Sequence, residues 1–219
     1  MIKRMMTAAL LMVGMMGSAL AQTTAIDRSD PFNMVEKAAN LAFERFKAEQ
    51  PQIQKDPNVI KEIVREELLP YVDYRYASLK VIGRNLPKTT SDQRDRFIAV
   101  FKNYLVTTYA QAFTQYHDQQ VIFERSPMDE GHQQKIASVK ARIIEEGRPE
   151  INLIFKARLN SKTGSWGVYD MVAEGISLLS SKQAELEGLI RQKGIDEVTQ
   201  MLKDKANVAI TLKKEEKAA

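Results

Sequence analysis

The apolar positions of this chain change period halfway along it. From Pro31 onward, Met34, Ala38, Leu41, Ala42 and Phe46 recur at spacings of three and four, the mark of an amphipathic helix. Ile60, Ile63, Val64 and Leu68 repeat the pattern and stop at Pro70. Asp30-Pro31 and Asp56-Pro57 both read as an N-cap followed by proline at the first helical position, where the missing N–H costs nothing. A third, short helix is predicted over 72–82, ended by Gly83. The fourth and longest opens on Thr90-Ser91-Asp92-Gln93, a capping box, and runs to about Gln115 with Phe97, Phe101, Tyr104, Leu105, Tyr109, Ala112 and Phe113 as its stripe.

From about Val121 the period becomes two. Val121 and Phe123 alternate with Ile122 and Glu124, then Val139, Ala141 and Ile143 with Lys140 and Arg142. Ile151, Leu153, Phe155, Ala157 and Leu159 alternate with their neighbours in the clearest strand, and Lys162-Thr163-Gly164 turns the chain into a strand over 166–172. Four strands joined by short turns read as an antiparallel meander with one buried face. Ser180 with Gln183 opens a helix to about Gln192, Gly194 separates it from a last one over 196–205, and the tail from Leu212 is expected to fray. Helices at both ends of one sheet, with no repeat and no low-complexity linker, give an α+β domain.

The first 21 residues stand apart. Lys3 and Arg4 precede an apolar run of about 13 residues, Met5 to Gly17, and Ala19-Leu20-Ala21 then places small residues where a signal peptidase cuts. The run is too short for a membrane span of ~20 residues. Residues 1–21 are therefore expected to be a cleavable signal and 22–219 a single exported domain, periplasmic in a Gram-negative cell. Six of the ten methionines lie in that leader, so the remainder is not methionine-rich.

Composition narrows the chemistry. The 219 residues contain no cysteine and two histidines, His117 and His132, which excludes disulfides, thiolate metal sites and cysteine nucleophiles and leaves no basis for a multi-histidine centre. Basic residues number 32 and acidic ones 28, a balance that does not point to nucleic acid. The nearest approach to a serine-hydrolase elbow, Gly175-Ile176-Ser177-Leu178-Leu179, lacks its second glycine. His117 with Asp118 or Asp170 is the one acid–base pairing to consider, against the plainer reading of a polar helix end. Arg84, Lys88, Arg94 and Arg96 form a basic patch around one helix–helix loop, either solvated surface or a contact for a partner or headgroup. Tyr71, Tyr74, Tyr76 and Trp166 read first as core.

Four long blocks carry more specific information: DPFNMVEKAANLAFERFKAEQPQI, EELLPYVDYRYASLKVIG, the turn NSKTGSW with YDMVAEGISLLSSKQ after it, and GIDEVTQMLK. Together they resemble the MlaC, or toluene-tolerance, family of periplasmic phospholipid-binding proteins. The resemblance implies an NTF2-like arrangement in which helices wrap a curved four-stranded sheet around a deep apolar pocket for acyl chains. It implies a monomeric carrier with a diacyl phospholipid as cargo, without cofactor, metal or catalytic residues. It also implies a shuttle between an outer-membrane MlaA–porin complex and the inner-membrane MlaFEDB ABC transporter, which maintains outer-membrane lipid asymmetry.

The residues expected to line the pocket that the resemblance implies are inferred from the inward apolar positions, since no family motif names them one by one. On the strands they are Val139, Ile143, Leu153, Phe155 and Trp166; on the helices, Val72, Tyr76, Leu79, Ile82, Phe101, Tyr104, Leu105 and Tyr109. At each one, plain core packing competes with lipid contact. Two other functions stay open: a periplasmic chaperone or adaptor that binds apolar peptide, and an NTF2-like enzyme using His117 or Asp170.

Overall fold

The computed structural model describes residues 26–116, 119–125 and 135–212. The proposed leader, His117, Asp118, His132 and the last seven residues of the tail lie outside them.

Asp30 caps helix α1 (Pro31–Ala48), its carboxylate accepting from the Phe32 and Asn33 amides, with proline at the first turn as the sequence predicts. The second Asp-Pro does something else. Asp56 folds an Asx turn by accepting from the Asn58 amide, and helix α3 (Val59–Ile63) starts after it without a side-chain cap; the single turn α2 (Gln50–Ile53) precedes both. Pro70 offers no N–H and crowds the carbonyl a turn earlier, and the chain before it widens into a π turn, Val64–Leu68, then tightens at Leu69–Tyr71. Asp73 caps α4 (Tyr74–Ile82), two residues later than predicted because Val72 is drawn into a parallel bridge with Val168. Gly83 ends α4 at φ 56°, a conformation open to glycine, and a 3₁₀ stretch, Gly83–Lys88, leads to α5 (Ser91–Phe113), whose Thr90/Gln93 capping box forms in full.

The sheet is an antiparallel meander of five strands in sequential order: β1 (Gln120–Glu124), β2 (Ile136–Ile144), β3 (Ile151–Asn160), β4 (Ser165–Ala173) and a two-residue β5 (Ile176–Ser177). The fifth strand, absent from the sequence reading, is too short to show a period. Ser177, not Ser180, caps α6 (Leu178–Lys193), so that helix begins one turn earlier than predicted; Gly194 then separates it from α7 (Ile195–Ala206).

Register places Phe123, Val139, Ala141, Ile143, Leu153, Phe155, Ala157 and Trp166 on one face of the sheet. A bulge between Lys156 and Ala157 shifts the β3–β4 pairing. Met34 and Val35 of α1 pack on one end of that face, over Val139, Ala157 and Trp166. Long helix α5 instead packs along α7, α4 and the helical turns after Asn58.

Candidate functional site

A domain of this size ordinarily closes around one contiguous core. Here the buried apolar residues fall into three clusters. One joins α4, α5, α6 and α7 around Phe97, Phe101 and Leu202; a second joins α1 to α3 and the C-terminal half of α5 around Phe46, Ile63 and Val106; the third lies between α1 and the sheet. Apolar side chains that remain half-buried lie at the margins of these clusters: Leu105 at the first, Phe43, Tyr109 and Phe113 at the second, Phe123 and Phe155 at the third. Past the part of the sheet that α1 covers, Ile143, Leu153 and Met171 also keep accessible surface.

Tyr109 shows what kind of space this is. Burial, followed by the charges of Asp170 and Tyr104, pushes its phenol up to about 12, yet the side chain retains open surface. Its hydroxyl has no hydrogen-bond partner among the described residues. Tyr109 thus stands at the margin of the second cluster, withdrawn from bulk water and within electrostatic reach of Asp170 on β4.

Asp170 is itself committed. It is buried, and its two oxygens accept from the Ser177 hydroxyl at 2.8 Å and the Leu179 amide at 3.0 Å, which ties β4 to the first turn of α6. Ser177, in the elbow-like segment, accepts in turn from the Ser180 amide. Both residues do capping work. Among the described residues no group of three or more acidic or imidazole side chains is placed to hold a metal, and no helix is long and apolar enough to cross a membrane.

A family profile described as MlaC protein matches residues 36–204. The chain belongs to the MlaC family. The intermembrane phospholipid transport system binding protein MlaC of Haemophilus influenzae is 35% identical over 192 residues, 87% of this chain and 89% of that protein. A toluene tolerance protein of Pseudomonas putida is 23% identical over 167 residues, 76% of this chain and 75% of its own length. The fold is similar to that of a phospholipid-binding protein from Ralstonia solanacearum solved in complex with a phospholipid, with a TM-score of 0.69 at 19% identity, over 81% of this chain and 97% of the other.

Within this MlaC fold the residues singled out from periodicity divide in two. Ile82, Phe101, Val139, Trp166 and Tyr104 are closed into the clusters, from 0% to 8% exposed. Val72, Tyr76, Leu79, Leu105, Tyr109, Ile143, Leu153 and Phe155 are half-buried. Not all of the second group pack at the margins of the three clusters. Tyr76 stacks edge-on against Tyr169 under the Arg158 guanidinium, and Val72 lines a polar hollow on the surface. Phe43, Phe113, Phe123 and Met171 were not singled out. Phe113 and Phe123 lay in the apolar stripes of their elements, where only packing separates covered members from open ones; Phe43 stands outside the α1 stripe, and Met171 reaches the Trp166 face only through the bulge in the β3–β4 pairing.

The basic patch disperses in the same way. Arg84 pairs with Glu187 at 2.6 Å and holds that carboxyl below its ordinary range, and Arg96 does the same to Asp196 at 2.9 Å. Arg94 donates to the Thr89 and Thr90 carbonyls, while Lys88 borders a small hollow of about 290 Å³ with Gln93 and Arg191. Arg84 and Arg96 thus clamp the α4–α5 corner to α6 and α7.

Proposed function

We propose that the chain is a carrier of diacyl phospholipid that takes the acyl chains into the cleft between α5 and the sheet. The observation that carries this reading is the set of apolar side chains left half-buried at the margins of three separate cores, Leu105, Tyr109 and Phe155 among them. The phospholipid named in the Haemophilus relative and bound in the Ralstonia structure supports it.

Elementary energetics gives such a carrier a task. Each methylene resists water by ~0.8 kcal/mol, so two chains of roughly fifteen resist by ~24 kcal/mol. As an activation barrier this makes unaided transfer a matter of about a day. A dry cleft removes that barrier without making or breaking a bond, and Asp170, the acid an enzymatic reading needs, already has both oxygens occupied. On this proposal the leader exports the chain to the periplasm. There it works as a monomer between an MlaA–porin complex and MlaFEDB and so maintains outer-membrane lipid asymmetry. Half-buried Leu105, Tyr109, Ile143, Leu153 and Phe155 are the side chains assigned to lipid.

The test is native mass spectrometry of protein purified from the periplasm without detergent, followed by lipid analysis of its organic extract. A near-stoichiometric mass increment matching diacyl phospholipid is expected. An empty protein that also fails to take lipid from vesicles overturns the proposal and brings the binding of apolar peptide forward.

A further inference from the structure

A second concavity, of about 550 Å³, opens where the segment from Leu69 to Arg75 crosses β4. Four cationic side chains border it: Arg28, Arg65, Arg75 and Lys102. They are spread over more than seventy positions of sequence and form no basic run. The one acid in the lining, Asp73, is fully engaged. Its oxygens accept from Arg158 at 2.7 Å and from the Tyr76 amide at 3.0 Å. The hollow therefore presents positive charge with little internal compensation.

The cations differ in how they are held. Arg65 and Arg75 make exposed pairs with Glu62 and Asp95, which water and salt screen and which give way to a better partner. Arg28 and Lys102 have no carboxylate within ion-pair distance among the described residues. Arg28 is pinned nonetheless: its Nε donates to the Trp166 carbonyl, and its own carbonyl accepts from the Trp166 amide, both at 2.9 Å. That leaves the Nη groups free and fixed in direction. Lys102 lies over the Tyr74 ring, 5.2 Å from its centre. Beneath them Gly167 permits the close approach, since a Cβ there would sit 3.3 Å from Arg28 Nη2 and from Asp73 Cβ. Thr163, at the β3–β4 turn, brings a hydroxyl donor to the rim, Ser165 Oγ donates to the Thr163 carbonyl, and Pro70 contributes apolar wall.

Guanidinium, ammonium and hydroxyl donors converging on a prearranged hollow form a phosphate-binding chemistry. We propose that this hollow is a binding site for a glycerol-linked phosphate, supplied either by an anionic phospholipid headgroup at a membrane surface or by a soluble glycerophosphate. The volume accommodates the phosphate together with its glycerol. The cations of the Arg84–Arg96 patch do not compete for this role, because intramolecular acceptors already hold three of the four. The lining shares no residue with the five side chains assigned to lipid, so the site stands or falls apart from the carrier reading.

The test titrates the full mature protein with sn-glycerol 3-phosphate at constant ionic strength and, separately, measures flotation with phosphatidylglycerol or phosphatidylcholine vesicles. Saturable binding of the soluble phosphate, preferential flotation with phosphatidylglycerol, or both, is expected, weakening as salt is raised. Binding of the first alone identifies a soluble ligand and of the second alone a membrane surface. The double variant Arg75→Gln, Lys102→Gln is expected to lose roughly tenfold or more in affinity. The pair Arg84→Gln, Lys88→Gln is expected to leave affinity unchanged, and cargo occupancy by native mass spectrometry to be the same in all. If the double variant folds poorly, the exposed Arg75→Gln alone and the charge-retaining Lys102→Arg decide. Absence of binding to both probes, or equal loss in the control pair, overturns the proposal.

Discussion

At the scale of single residues, the informative side chains are those whose burial and bonding disagree. Phe101 is 1% exposed and stacks on Phe97; Phe155, on the face of the sheet that α1 covers in part, is half-buried. Phe101→Ala is expected to lower unfolding free energy by roughly 3–5 kcal/mol, while leaving lipid occupancy of the folded fraction intact. Phe155→Ala is expected to cost less, about 1–2 kcal/mol, and to lower the lipid-bound fraction; urea unfolding beside native mass spectrometry separates the two. Tyr109 makes a pH prediction. Its phenol ionises near 10 in an unfolded chain and near 12 in the folded one, so between those values the unfolded chain binds fewer protons. Its contribution to stability is complete below pH 10 and is lost as pH rises toward 12. Thermal melts across that window are expected to fall more steeply for the parent than for Tyr109→Phe; parallel curves refute the assignment.

At the scale of elements, the chain was most legible where a cap is local. Asp30-Pro31 and the Thr90/Gln93 box need only residues three apart, and both form as predicted. The start of α6 was misread because the residue that decides it is on another element. Asp170 of β4 accepts from Ser177 and from the Leu179 amide and so fixes the first turn of α6 to the sheet. Asp56-Pro57, which looks the same as Asp30-Pro31, makes a turn instead. Asn58 is placed to bond Asp56, and its own side-chain oxygen accepts from the Ile210 amide 152 positions away. Ser177→Ala removes a cap and one of the two bonds to buried Asp170. It is expected to cost about 1–3 kcal/mol, and faster hydrogen exchange confined to the β5–α6 junction would distinguish this from global loosening.

At the scale of the whole molecule, the apolar interior is divided among three separate cores with half-buried side chains at their margins. Their separation follows from the way α5 is shared. Its Phe97–Phe101–Tyr104 side joins α7 and α6, its Val106–Ala110 side joins α1 and α3, and the stripe between, with Leu105 and Tyr109, keeps open surface. One helix cannot close against all of its neighbours at once. The cationic hollow likewise belongs to no single element: Arg28 precedes α1, Lys102 is on α5, and Thr163 is in the β3–β4 turn.

The sequence by itself determined the long helices, four of the five strands, their order and the family, because helical period, strand alternation, local caps and long similar blocks are all written along the chain. It also determined which faces are apolar. Only the tertiary structure decided which members of an apolar face are sealed and which stay open, which cations are neutralised by remote carboxylates, and that Asp170 is a cap. The reason is physical: exposure and charge compensation are set by what arrives from elsewhere in the chain, and a stripe of phenylalanines has the same period whether its partner is a helix, a strand or an acyl chain.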